Sequence, residues 1–150
     1  MFRRVVPILL VIIWIFVIFS FSSQQGNVSQ SRSQEITKYV SENYNEIVEG
    51  IDKCMLHYLI RKTAHVTLYF ILCILVINAL FHGGFRGKGL FVRAFMICFF
   101  YASMDEIHQR FISDRSGELT DVFIDGIGIV LAMALALIVE KAYNVIKKRY

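Results

Sequence analysis

The side chains most capable of chemistry lie in three short polar stretches of an otherwise apolar chain. A histidine beside carboxylates can move protons, so His65 and Glu106 are the candidate catalytic residues for general acid–base chemistry. The same groups suit a divalent cation, but no metal motif of established spacing is present and His108 is a competing ligand. We therefore predict no metal and no cofactor. The full set of candidate binding or network residues is Arg61, Lys62, His65 and Tyr69, then Asp105, Glu106 and Gln109, then Arg115, Asp121 and Asp125.

Helical spacing places these residues on single helix faces. At about 100° per residue, Lys62, His65 and Tyr69 fall within a sector of roughly 60°. Asp121 and Asp125 are four residues apart and therefore stack on one face. Small residues continue the same helix face, and small residues let helix backbones approach closely in a membrane. We therefore predict that both acids point into a helix bundle. These small residues are Gly128, Ala132 and Ala136.

The composition favours a membrane protein over a soluble domain. Of the 150 residues, 56% are hydrophobic and 19% are charged, whereas a soluble domain has roughly 25% charged residues. Crossing about 30 Å of hydrocarbon takes roughly 20 helical residues. We predict an all-α membrane protein with four transmembrane helices in a single domain over residues 1–150. The four apolar runs are residues 5–21, 64–81, 90–104 and 122–139.

The chain between the first two runs is polar but shows helical periodicity. Apolar residues recur at helical spacing from about Ser33 to Ile60, which predicts an external amphipathic helix between spans one and two. The first run follows Arg3 and Arg4, as the apolar part of a signal peptide would. It is long for a signal peptide and further spans follow, so we predict a retained anchor.

The charge distribution predicts the orientation of the chain. If both termini and the glycine-rich loop at residues 83–89 share one side, that side has a net charge of +8 and the other side −4. Lysine and arginine are enriched in cytoplasmic loops, so we predict both termini inside and the three polar stretches at the outer interface. The net charge of +4 is then explained by topology, and no nucleic-acid partner is predicted.

Charge pairing between helices is the central structural hypothesis. An ionisable side chain near hydrocarbon is costly unless it faces the bundle and finds a partner. Arg61 and Lys62 also lie on the side where basic residues are scarce. We therefore expect the basic residues of span two and Arg115 to meet the acids of spans three and four. The result would be an outward-facing polar pocket, or a network that fixes helix registry without chemistry.

In order and spacing, these stretches resemble the VanZ-like family of bacterial membrane proteins. The resemblance implies the cytoplasmic (inner) membrane of a bacterium, and a role in the cell envelope or in resistance to the glycopeptide teicoplanin. It implies no particular reaction. The matching pieces are FSSQ at 21–24, RKTAHVTLY at 61–69, DEIHQRF at 105–111, and Arg115, Asp121, Asp125 and Gly128. The departures from the expected pattern are Ser113 and Asp114 in place of Pro-Gly, Asp125 in place of Asn, and Ala132 in place of Gly.

Three functions remain open at this point. The first is a membrane accessory protein whose polar pocket engages a lipid-linked or glycopeptide ligand. The second is a membrane enzyme that acts on a lipid-linked envelope substrate, with His65 and Glu106 carrying protons. The third is a structural subunit of another membrane protein. The lipid bilayer is the partner that all three share.

Overall fold

The computed structural model describes residues 2–44, 50–113 and 119–149, and every regular element within these ranges is an α-helix. The elements α1, α3, α4 and α5 alternate in direction and pack side by side, while α2 covers α3 near the end where α1 stops. The helices are α1 (Phe2–Ser22), α2 (Gly26–Asn43), α3 (Lys53–His82), α4 (Gly87–Gln109) and α5 (Leu119–Arg149).

Two aromatic side chains attach α1 to the bundle. Nε1 of Trp14 donates a hydrogen bond to the carbonyl of Leu68 at 2.9 Å. The hydroxyl of Tyr101 donates to the carbonyl of Ile15 at 3.0 Å. Helices in lipid gain little from the hydrophobic effect, so hydrogen bonds and close packing hold them together. These two bonds fix α1 beside the middle of α3 and the second half of α4.

A tight turn reverses the chain between α3 and α4. Gly84 and Gly87 have φ values of 102° and 58°. Only glycine adopts this left-handed backbone region without a steric cost from Cβ. The glycines therefore allow a short connection, which places α4 antiparallel to α3.

Three helices in the described part of the chain are long and apolar enough to cross a membrane: Arg4–Ser22, Lys53–His82 and Thr120–Tyr143. The prediction of four spans is therefore wrong in number. The predicted span 90–104 lies within α4, which is not among the three. Charged residues interrupt α4: only 11 residues separate Arg93 from Asp105. They make about 16 Å of helix, roughly half of the hydrocarbon thickness.

The predicted amphipathic helix is divided between two elements. α2 ends at Asn43, and residues 53–60 form the first turns of α3. The second span therefore starts at Lys53, well before the predicted residue 64. The side chain of Asp52 caps α3 by accepting a hydrogen bond from the backbone N–H of Cys54 at 3.2 Å. The start of α3 has an apolar face of its own. The helical periodicity of apolar residues therefore continues from α2 into α3, and the sequence does not reveal that the two helices are separate.

The closest helix contact joins α3 to α5. A Cβ placed on Gly128 would overlap the carbonyl oxygen of Val66 and lie 3.0 Å from the backbone nitrogen of Phe70. Ala132, one turn further on, is fully buried, and Ala136 is partly buried. Glycine and alanine thus allow the two backbones to touch. This contact fixes the level at which the polar side chains of the two helices meet.

Candidate functional site

Two acid–base pairs connect α3 and α5 directly beside the Gly128 contact. Nζ of Lys62 forms an ion pair with Oδ1 of Asp121. Nδ1 of His65 lies 3.2 Å from Oδ1 of Asp125. Asp125 is fully buried, whereas the side chains of Lys62 and Asp121 remain 20% and 14% exposed. We call these four residues the α3–α5 polar interface. It brings basic and acidic side chains of two apolar helices together.

Glu106 of α4 adds a further acid at this interface. Its side chain is 3% exposed, and neither carboxylate oxygen has a hydrogen-bond partner among the described residues. Oδ2 of Asp125 is also without a partner there. Burial, followed by the negative charges of Asp121 and Asp125, raises the pKa of Glu106 to about 7. Within the described residues, the site therefore has more buried carboxylate groups than basic side chains paired with them.

A cavity of about 520 Å³ lies on the other side of α3, between α1, α2 and α3. Because the helices alternate in direction, its polar lining comes from the helix ends near the α1–α2 connection. Its apolar lining extends from there toward the middle of the bundle. The polar lining includes Ser22, Arg32, Arg61, His65, Asp105 and Gln109, and the apolar lining includes Trp14, Ile18, Phe21, Ile36, Ile60 and Leu68. The shape suits an amphiphilic occupant.

The predicted site residues fall into two adjoining groups. The α3–α5 polar interface and Glu106 form the first group. The second lines the cavity and consists of Arg61, Tyr69, Asp105 and Gln109. Within it, Nε2 of Gln109 donates to Oδ2 of Asp105 at 3.0 Å. His65 belongs to both groups, and Arg115 lies outside the described residues.

His108, the competing ligand in the sequence analysis, is directed elsewhere. Its Nε2 lies 3.2 Å from Oγ of Ser23. Its ring stacks on Phe19 with 5.0 Å between ring centroids. His108 therefore connects the end of α4 to the end of α1, and it does not compete for the acids of α5.

A family model described as VanZ/LLP1 matches residues 7–140. The chain belongs to the VanZ/LLP1 family. The predicted family likeness is thereby confirmed, and the matched range includes both polar groups and the cavity. No curated protein and no solved structure matches the chain.

The sequence of this VanZ/LLP1 protein does not predict the α1 and α2 walls of the cavity. Phe21, Ser22 and Gln24 belong to the pieces that carry the family likeness, and all three line the cavity. Arg32 of α2 donates a hydrogen bond to Oε1 of Gln24 at 3.0 Å. The family motif FSSQ is the one sequence feature that points to these cavity walls. It contains no ionisable residue, so a search for charged groups does not find it.

Proposed function

We propose that this VanZ/LLP1 protein is a membrane accessory protein that binds a lipid-linked molecule of the cell envelope in the cavity between α1, α2 and α3. The observation that carries the proposal is the division of the cavity into apolar walls and a polar end. Its volume of about 520 Å³ falls within the roughly 300–1,000 Å³ of small-molecule sites. A hydrocarbon chain fits along the apolar walls, and a head group fits at the polar end.

The polar end of the cavity has two arginines against one carboxylate, that of Asp105, and this balance favours an anionic head group. Arg61 is exposed and takes part in none of the ion pairs of the described residues. Arg32 donates to Gln24, a neutral partner, so its charge is not neutralised by that bond. Guanidinium groups bind phosphate and carboxylate through paired hydrogen bonds. The two arginines therefore suit a phosphate-linked or carboxylate-bearing head.

We place the protein in the cytoplasmic membrane of a bacterium, with both termini inside and the polar end of the cavity outside. The start of α1, the α3–α4 turn and the end of α5 lie at one end of the bundle, where basic residues are concentrated. This concentration supports the orientation. A molecule bound from the outer leaflet would then be an envelope intermediate, and its binding would alter the action of glycopeptides such as teicoplanin.

A direct binding test uses purified full-length protein in detergent and a fluorescent anionic phospholipid as the probe. Ala64 lines the cavity, so Ala64→Phe should fill it and weaken binding by about tenfold or more, or about 1.4 kcal/mol. Ala134→Phe on the exposed face of α5 is the matched control and should bind as the native protein does. Equal affinity of all three proteins would contradict the proposal.

A cellular test compares teicoplanin susceptibility at equal membrane levels of protein. We expect Arg61→Gln to lose the effect of the native protein, because it removes a positive charge from the polar end. Arg93→Gln removes a charge at the opposite end of the bundle and should retain the effect. Indistinguishable susceptibility in cells with the native protein, either variant or no protein would argue against a role in resistance.

One observation favours an enzyme as the second candidate. His65 and Glu106 come from different helices, yet each offers a polar atom within 4.8 Å of the other. A proton could pass between such groups during hydrolysis or transfer at a lipid-linked substrate. Turnover of envelope lipids by the purified protein, lost in His65→Gln, would support this function. Absence of turnover by the native protein would contradict an enzymatic function.

A further inference from the structure

Three side chains from three helices converge on one point. His65 of α3, Glu106 of α4 and Asp125 of α5 each contribute one possible ligand atom, and these atoms all lie within 4.8 Å of one another. Atoms that bind one ion at 2.0–2.2 Å in tetrahedral geometry are about 3.4 Å apart. The widest pair would need to close by at most roughly 1.4 Å, which a change of side-chain rotamer can supply.

Three of the four carboxylate oxygens at this point are buried and have no hydrogen-bond partner among the described residues. Glu106 is 3% exposed and Asp125 is 0% exposed. Both oxygens of Glu106 and one oxygen of Asp125 have no hydrogen-bond partner among the described residues. Buried carboxylates are normally paired with bases, hydrogen-bonded or bound to metals. The unpaired oxygens therefore indicate that a positive ligand belongs between them.

The local charge also calls for a cation. The negative charges of Asp105 and Asp121 act on both Glu106 and Asp125. Lys62 neutralises Asp121 through its ion pair, and Gln109 gives Asp105 a hydrogen bond without charge. Among the described residues, Asp125 pairs with the base His65, and no ion pair joins Glu106 to a base. A divalent ion would balance the two carboxylates and leave the imidazole neutral.

We propose that His65, Glu106 and Asp125 bind a divalent transition-metal ion, with Zn²⁺ the best match. Imidazole nitrogen with carboxylate oxygen is a ligand set that suits zinc, whereas magnesium and calcium prefer oxygen alone. Three protein ligands leave a coordination position open. His65 also lines the cavity, so the ion would lie beside the polar end. The metal site does not depend on the cavity binding an amphiphile.

The spacing of the three ligands along the chain explains why the sequence predicts no metal site. Metal motifs are recognised by short spacings on one element, whereas these three ligands lie 41 and 19 residues apart along the chain. The α3–α5 contact at Gly128 sets the distance between His65 and Asp125, and α4 brings Glu106 to both.

The test measures metal in the full-length protein purified in detergent, stripped with EDTA, reloaded with Zn²⁺ and passed through gel filtration. We expect about one Zn²⁺ per native chain, and at least about tenfold weaker binding in Glu106→Gln and Asp125→Asn. Glu42→Gln changes an exposed glutamate of α2 and should bind as the native protein does. Ala64→Phe fills the cavity and should also retain the metal, which separates this proposal from the proposed function.

Thermal unfolding provides a second measurement of Zn²⁺ binding for a variant that retains no metal in gel filtration. Zn²⁺ should raise the Tm of the native protein and leave that of Glu106→Gln unchanged. In EDTA, Glu106→Gln should be at least as stable as the native protein, because the amide removes an unpaired buried charge. The proposal is overturned if the native protein retains no stoichiometric Zn²⁺, or if Glu106→Gln binds it equally well. If the native protein retains no stoichiometric Zn²⁺, a proton on Glu106 remains as the neutralising partner. If Glu106→Gln binds Zn²⁺ equally well, the metal is assigned to surface groups.

Discussion

The two sides of α3 differ in how closely their neighbours approach. On one side α5 touches the backbone of α3 at Gly128, and charged side chains meet directly across the contact. On the other side α1, α2 and α3 surround a cavity of about 520 Å³. His65 takes part on both sides. The close side therefore holds the helices and their charges in register, and the open side provides space for an occupant.

Mutations on the two sides of α3 should therefore affect different properties of the protein. Substitutions on the close side should change stability, because a packed backbone contact has no room to relax. Substitutions on the open side should change binding more than stability. Each prediction below tests one side of the comparison.

The largest stability effect is expected at the α3–α5 contact. Gly128→Ala places a methyl group against the carbonyl of Val66 and should lower the free energy of unfolding by about 2 kcal/mol. Gly126→Ala on the same helix meets open space, so it should be neutral or slightly stabilising. Thermal unfolding in detergent, followed by circular dichroism, compares the two. Equal stability of both variants would mean that α3 and α5 are not in close contact.

A smaller effect is expected for the ion pair of the α3–α5 polar interface. Lys62→Gln leaves Asp121 without its counter-charge and should cost about 1–2 kcal/mol. Asp121→Asn introduced into the same protein should recover much of that loss, because the unpaired acid is then removed.

The matched control for this pair is Lys38→Gln in α2. Lys38 and Glu42 are 77% and 62% exposed, so solvent screens their interaction and the change should have almost no effect. Strictly additive effects of Lys62→Gln and Asp121→Asn would show that the two side chains are not energetically coupled.

The smallest stability effect is expected on the open side. Trp14→Phe removes the hydrogen bond to the carbonyl of Leu68 and should cost about 1 kcal/mol or less. Because Trp14 lines the cavity, its loss should change affinity for the phospholipid probe more than it changes Tm. A large drop in Tm with unchanged affinity would reverse the assignment of roles to the two sides.

Much of the helical architecture could be predicted from the sequence. The apolar runs 5–21 and 122–139 lie inside α1 and α5, because long uncharged runs are a strong signal for membrane helices. The four-residue spacing of Asp121 and Asp125 predicts that both acids share one helix face, and both acids contact α3. These features depend on local periodicity, which a single sequence contains.

The remaining features depend on contacts between distant segments. The sequence does not reveal the break between α2 and α3, because apolar periodicity continues through it. The apolar run 90–104 predicts a span, although Arg93 and Asp105 limit the uncharged length of α4. The division of the site into two groups depends on how α3 is rotated between its neighbours. Helical spacing places Lys62 and Tyr69 on similar faces, and only the packing determines that Tyr69 lines the cavity.

The most direct test of the central claim is photo-crosslinking with an anionic phospholipid that carries a photoreactive group in its acyl chain. The protein is labelled in membranes, digested and mapped by mass spectrometry. We predict concentrated labelling of peptides from α1, α2 and the first half of α3, with the labelling abolished in Ala64→Phe and preserved in Ala134→Phe. Uniform labelling of all lipid-facing helix surfaces, unaffected by Ala64→Phe, would show that the cavity does not bind a lipid-linked molecule.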